Sequence, residues 1–365
     1  MPLHIRPARA IQKLEPYRLN AFSYTNLSKD GILKLDWNEC TIPPSPHVIQ
    51  AIESFFKQGN PNWYPDPAAE ELEERLAEYV DCKRENILVF NGSDSALDHL
   101  CRTYLESDDP VVISAPTYDH FRVFSIAAGG AVRFFRADPI FRPDPEGLIR
   151  FSGKEARIIY IANPNNPTGV MYDSYQIEQI LTALPAALLV VDEAYYEFTG
   201  MTVSGCINQY PNLAVTRSFS KAFGLAGLRV GYVVACEELL SQVSKLRNGK
   251  DVNSIAQVAA VAALEDMAYM EAYVEQVQEA RKYLTEALTA MGMETVSSPA
   301  NFILIRVAEP AGVQEALKKE KIYVRDRSYI TGLEYCIRVT VGTRADSERF
   351  LKAFQNIPEN FLSSP

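Results

Sequence analysis

Seven short, nearly all-apolar runs along residues 86–235 constrain the fold more than any other feature. They are Ile87–Phe90, Val111–Ser114, Ala131–Arg136, Ile158–Ala162, Leu188–Val191, Leu213–Thr216 and Val230–Ala235, separated by helical or loop stretches. Runs of this length read as strands buried on both faces. Their alternation predicts an α/β fold with a mostly parallel, seven-stranded sheet covered by helices. The uneven spacing excludes a solenoid or propeller. A long helical pattern over Ile255–Met291, rich in Ala, Glu, Leu and Gln, is expected to bend or break inside. Then come a strand at Phe302–Val307, a helix at Ala311–Glu320, strands at Ile322–Arg325 and Cys336–Val341, and a helix at Ala345–Gln355. This tail reads as a smaller α+β domain, and the proline-bearing Thr41–Pro46 as a crossing. The expected division is an N-terminal arm over 1–40, associated with the small domain, a large domain over 41–260 and a small domain over 261–365.

Hydrophobic residues make up 47% of the 365, enough for a large core, and the formal net charge is −10 with no Lys/Arg block. That balance argues against nucleic acid or an anionic membrane as partner. Cys40, Cys82, Cys101, Cys206, Cys236 and Cys336 include no C-x-x-C pair, as expected of reduced thiols in a cytoplasmic protein. His4, His47, His99 and His120 show no metal-ligand spacing. Met1–Arg6 does not read as a signal peptide, and no run of about 18 apolar residues predicts a membrane span.

In open α/β sheets ligands bind beyond the carboxyl ends of the strands. Here those ends carry polar residues of distinct chemistry. After the first run, Gly92 permits a tight turn and Ser93 can cap the following helix, whose free amides would bind phosphate; an ordinary capped turn looks the same. After the second, Tyr118 can stack on a planar ring or pack in the core. The fourth ends in Asn163-Pro164-Asn165-Asn166-Pro167-Thr168-Gly169, a rigid turn from which Asn166 could donate to a phenolate. The fifth ends in Asp192, costly beside an apolar strand unless it pairs with a cation such as a protonated pyridine. A structural or metal-binding aspartate is the alternative. Tyr195, three positions on, could reach the same phenolate. The sixth delivers Ser218, Ser220, Lys221 and, eight positions on, Arg229. A lysine amine can form a Schiff base with the aldehyde of pyridoxal 5′-phosphate (PLP), while hydroxyls and a guanidinium hold its phosphate. Gly224, Gly227 and Gly231 read as close helix–strand packing. No P-loop, H-E-x-x-H, G-x-S-x-G or G-x-G-x-x-G occurs.

The segments Asn91–Asp94, Asn163–Gly169, Asp192–Tyr195 and Ser218–Arg229 together resemble those of fold-type I PLP enzymes, in the class I/II aminotransferase group. The resemblance spans nearly the whole chain. It implies that Lys221 bears the cofactor, Asp192 pairs with the pyridine nitrogen, Asn166 and Tyr195 hold the phenolate, and Tyr118 stacks on the ring. Gly92, Ser93, Asp94, Ser218, Ser220 and Arg229 would bind the phosphate. Tyr64, in Trp63-Tyr64-Pro65-Asp66, resembles a tyrosine that reaches the partner subunit's phosphate, which implies a homodimer with shared sites.

Arg338, in Cys336–Thr343, could be an exposed edge residue; the resemblance makes it the clamp for a substrate α-carboxylate. Arg325, in Val324-Arg325-Asp326-Arg327-Ser328, lies thirteen residues earlier. The pair is similar to that of histidinol-phosphate aminotransferases, in which the earlier arginine grips the substrate phosphate. Lys34-Leu35-Asp36-Trp37-Asn38-Glu39 resembles that subgroup's arm and implies a substrate contact from Asn38. The chain departs from the pattern at Ser95, where an acidic residue is usual, and at Cys40, where a proline is usual. The altered arm is where a different substrate would be read. The reaction implied is transamination between an amino substrate and a 2-oxo acid, with Lys221 as general base. A diverted course, decarboxylation or elimination with cyclisation on a phosphothreonine-like or arginine-derived amino acid, is the alternative. The complete catalytic set argues against a non-catalytic regulator.

Overall fold

The computed structural model describes residues 5–15 and 31–362. His4, much of the stretch read for a signal peptide and residues 16–30 of the arm lie outside the described residues. A short strand of the arm, β1 (Leu33–Lys34), comes first. It is followed by β2 (Ile87–Phe90), β3 (Pro110–Ser114), β4 (Ala131–Phe135), β5 (Ile158–Ala162), β6 (Leu188–Asp192), β7 (Leu213–Ser218) and β8 (Gly231–Ala235). These last seven form one sheet in the order β2-β8-β7-β6-β5-β3-β4. All its pairings are parallel except those of β8, which is antiparallel to both neighbours. Strands β5 to β8 are buried at every residue, because helices cover both faces, whereas the edge strand β4 is buried only at Phe135. The parallel strands therefore bring their carboxyl ends, and the polar residues there, to one edge of the sheet.

Beyond it lie β9 (Thr295–Val296), β10 (Phe302–Arg306), β11 (Ile322–Tyr323), β12 (Arg325–Asp326) and β13 (Cys336–Thr340). Four of these form an antiparallel sheet, β12-β13-β10-β9, while β11 pairs in parallel with β1 of the arm. The expected single strand over Ile322–Arg325 is thus two, broken at Val324, with partners in different sheets. The long helical pattern divides at Asp266 into Ser254–Glu265 and Met267–Ala290. Local caps fix the helix starts. The Asn253 side chain accepts from the Ala256 amide at 2.9 Å, and Asp173 with Gln176 and Thr343 with Asp346 form reciprocal capping boxes.

Three expectations need correction. Ser93 is not the cap of its helix: Gly92, at φ 79°, turns the chain early enough that the helix starts there, and Ser93 lies in its first turn. Gly231 does serve close packing, since an added Cβ would lie 2.2 Å from the Ser93 nitrogen. Gly224 instead supplies a turn at φ 71°, and Gly227 faces open space.

Under the sheet edge, Glu193 and Arg217 are fully buried and pair at 3.0 Å, with Thr202 accepting from Arg217 at 2.7 Å and the Tyr196 ring 3.6 Å below the guanidinium. Removing one partner strands a buried charge. Arg217→Met is expected to cost about 3–5 kcal/mol in urea unfolding of the holoenzyme, because Glu193 then has no counter-ion. A loss below ~1 kcal/mol would show that the pair contributes little.

Candidate active site

The parallel strand ends and the four-stranded sheet meet around Lys221. At the tip of β6, Asp192 is buried and accepts from the Tyr160 hydroxyl at 2.9 Å and from the Ala194 amide. Burial pushes its carboxyl up to about 6, and the Tyr160 hydrogen bond opposes this. No cation pairs with Asp192 among the described residues.

The turn after β2 forms a polar cradle with the end of β7. A Cβ on Gly92 would lie 2.6 Å from Arg229 Nη2, and the φ of 79° favours glycine there. Arg229 donates to Asp94 at 3.1 Å and to Ser220 Oγ at 3.3 Å, and the Ser218 hydroxyl accepts from the Ser220 amide at 3.1 Å. Tyr118 donates to the other Asp94 oxygen at 2.7 Å and stacks on His120. It is therefore at the cradle and not in the core. First-turn amides, two hydroxyls and a guanidinium form the donor set a phosphate monoester takes.

Lys221 Nζ donates to the carbonyl of Trp37 at 3.0 Å and lies 5.8 Å from the centre of the Tyr195 ring. Asn38 donates to the Tyr195 hydroxyl at 2.9 Å and Asn166 does so at 3.2 Å. Asn38 sits at φ 55°, a left-handed conformation asparagine tolerates, with its amide donating to Thr340 on β13. Arg338 then donates to the Asn166 side-chain oxygen at 2.6 Å and to the Asp36 carbonyl. It is 3% exposed on the inner strand β13, so the edge-residue alternative is excluded. Arg325 is 7% exposed and directly opposite Arg338 in the register. The Asn165 side chain ties the turn after β5 to the one after β3, through Pro116 and Thr117, and braces its own turn through Thr168.

Residues 30–354 match the model of the aminotransferase class I and II family. The chain belongs to that family. This aminotransferase is 40% identical over 340 residues to a dihydroxyacetone phosphate transaminase of Campylobacter jejuni, 92% of either chain being covered. It is 34% identical over 311 residues to a histidinol-phosphate aminotransferase of Thermoanaerobacter, covering 85% of this chain and 88% of the other. Its fold superposes on the crystal structure of histidinol-phosphate aminotransferase from Sinorhizobium meliloti in complex with pyridoxal-5′-phosphate with a TM-score of 0.85, at 27% identity and 97% coverage of both chains.

One named residue of the aminotransferase stands apart. Tyr64 is 78% exposed, under the Lys250 ammonium at 4.4 Å, and makes no contact with Lys221. The sequence reading missed Tyr160, Arg327 and the carbonyls of Asp36 and Trp37. Tyr160 could have been found: it is the one polar residue inside an otherwise apolar run and pairs in register beside β6. Ser95, where the family usually has an acid, donates to Asp251 at 3.0 Å.

Proposed function

We propose that the chain, a PLP-dependent aminotransferase, moves an amino group between a phosphate-bearing substrate and a 2-oxo acid. The observation that carries this is the hydrogen-bonded path Arg338–Asn166–Tyr195–Asn38 beside Lys221, with a second buried arginine, Arg325, at its far end. Dihydroxyacetone phosphate and histidinol phosphate, named for the relatives, carry a phosphate and no carboxylate, which supports an anion site able to take either group.

When bound, the cofactor supplies an aldehyde that takes up the substrate amine and a ring that accepts the electron pair left at Cα. In our reading Lys221 Nζ takes the Cα proton and delivers it to the former aldehyde carbon. Asp192 keeps a proton on the ring nitrogen. Asn166 and Tyr195 hold the phenolate oxygen, and Tyr118 covers the ring face. Gly92, Ser93, Asp94, Ser218, Ser220 and Arg229 hold the cofactor phosphate. Arg338 clamps the carboxylate of the 2-oxo acid or its amino form, Arg325 holds the substrate's distal anion, and Asn38 orders the arm beside them.

The exposed Tyr64 supports a homodimer in which it completes the partner's phosphate site. The six unpaired thiols suit a cytoplasmic location. Residues 1–40, 41–260 and 261–365 serve as arm, large domain and small domain, consistent with β1 of the arm pairing with β11.

The test is the visible absorbance of the aldehyde-form enzyme mixed with histidinol phosphate without an acceptor, and of the amine-form enzyme mixed with dihydroxyacetone phosphate. Conversion of the cofactor in either mixture supports the reading. No change in both would overturn a phosphate-bearing substrate of this kind, and loss of carbon dioxide from added phosphothreonine, with the cofactor back in the aldehyde form, would favour the diverted chemistry. Arg338→Gln is expected to raise KM for glutamate about 100-fold, since a bidentate charged contact is worth roughly 2–3 kcal/mol. An unchanged KM would remove Arg338 from the carboxylate site.

A further inference from the structure

We propose that Arg327 selects a doubly charged phosphate monoester over a carboxylate at the substrate end of the site. This rests on the reading of Arg325 and Arg338 given above. Side chains alternate across a strand, so Arg327, two residues beyond Arg325, returns to the same face of the sheet as Arg325 and its register partner Arg338. The Arg327 amide donates to the Cys336 carbonyl at 2.9 Å, which carries the β12–β13 pairing as far as this residue.

Like charges directly opposite one another destabilise a sheet. Here three guanidiniums gather, and among the described residues no carboxylate lies within ion-pair distance of any of them. Each keeps one buried N–H without an acceptor: Nη1 of Arg325, Nε of Arg327 and Nε of Arg338. Burial lowers the proton affinity of Arg338, and Arg327 and Arg325 add to the effect, while Tyr195 and Asp36 oppose it. Burial lowers that of Arg327 too, with Arg325 acting in the same direction against Tyr329 and Tyr195. Arg327 is therefore within electrostatic reach of the tyrosine that borders Lys221. Its outer end is held by the Tyr329 hydroxyl at 2.8 Å.

One carboxylate is satisfied by one bidentate arginine. Three converging guanidiniums exceed that need. A phosphate monoester brings three acceptor oxygens and a charge of about −1.5 to −2 at neutral pH. Arg325 and Arg338 can serve either anion, whereas the third guanidinium is used only by the third oxygen and the second charge.

The test is Arg327→Gln in the holoenzyme, with Arg327→Lys beside it, both checked for an unchanged melting temperature. For Arg327→Gln, kcat/KM with histidinol phosphate or dihydroxyacetone phosphate is expected to fall about 10–100-fold, the range of one charge-assisted contact. The fall with glutamate is expected to be at least about five-fold smaller, and the lysine variant to recover part of the loss. In parallel, inorganic phosphate is used as an inhibitor of the glutamate half-reaction, and its inhibition constant is expected to rise about ten-fold in Arg327→Gln. Equal losses with phosphate esters and glutamate, or unchanged inhibition by phosphate, would overturn the proposal. Should the wild-type enzyme convert neither ester, the substrate reading fails on its own, and the phosphate inhibition still decides the role of Arg327.

Discussion

Replacing Lys221 by alanine is expected to lower transamination roughly 10⁴-fold or more, the upper end of what a positioned acid–base group supplies. The lysine is not redundant. Its Nζ is held by the Trp37 carbonyl, next to the Tyr195 ring. Among the described residues no lysine hydrogen-bonds to the set of Asn38, Asn166, Tyr195 and Arg338 that borders it. The variant should still fold, because among the described residues the ammonium makes one hydrogen bond, to a backbone oxygen, and no ion pair. The measurement is the single-turnover rate of cofactor conversion with glutamate. Retention of the wild-type rate would remove Lys221 from the proton path and with it the proposed mechanism.

Asp192→Asn should follow with a loss of about 10³-fold in kcat, equivalent to ~4 kcal/mol, the scale of removing one member of a buried charge pair. The asparagine oxygen can keep the hydrogen bond from the Ala194 amide, and its NH2 then faces Tyr160, whose hydroxyl can turn to accept, so the change removes the charge and reverses one hydrogen bond. The same variant has a pH signature. In the cofactor-free chain, burial raises the Asp192 carboxyl from 3.8 to about 6. A carboxyl that holds its proton more tightly when folded stabilises the folded state below its unfolded pKa and loses that contribution as the pH rises through about 6. Cofactor-free wild type is therefore expected to lose about 2 kcal/mol relative to Asp192→Asn between pH 4 and pH 7. A cation bound against Asp192 should remove the difference. Parallel pH–stability curves for the two apoproteins would show that Asp192 carries no such penalty.

Much of the architecture was legible because its signals are local. Each buried strand is an apolar run, and each polar residue at its end is adjacent in sequence, so Asp192, Asn166 and Lys221 could be named without knowing any long-range pairing. The rest depends on distant partners. Arg327 belongs with Arg325 and Arg338 only once β12 pairs with β13, and a two-residue strand carries no periodicity to announce it. The break at Val324 was hidden because its two halves pair with different sheets. The contacts from Asp36 and Trp37 are made by backbone carbonyls, which leave no residue-specific trace. Ser93 was misread as a cap because a serine after glycine looks like one, while the turn is set one residue earlier by the backbone of Gly92.

Three consecutive arm residues reach three separately positioned partners: Asp36 by its carbonyl to Arg338, Trp37 by its carbonyl to Lys221, and Asn38 by its side chain to Tyr195. Their register is pinned upstream, where Leu33 and Lys34 pair with Ile322 and Tyr323. A one-residue insertion or deletion between Leu35 and Asn38 would reassign all three contacts together, as a register slip does in any extended segment. Changes in arm length are therefore confined to the chain before Leu33 and after Cys40, and between those points this enzyme can vary its side chains but not its spacing.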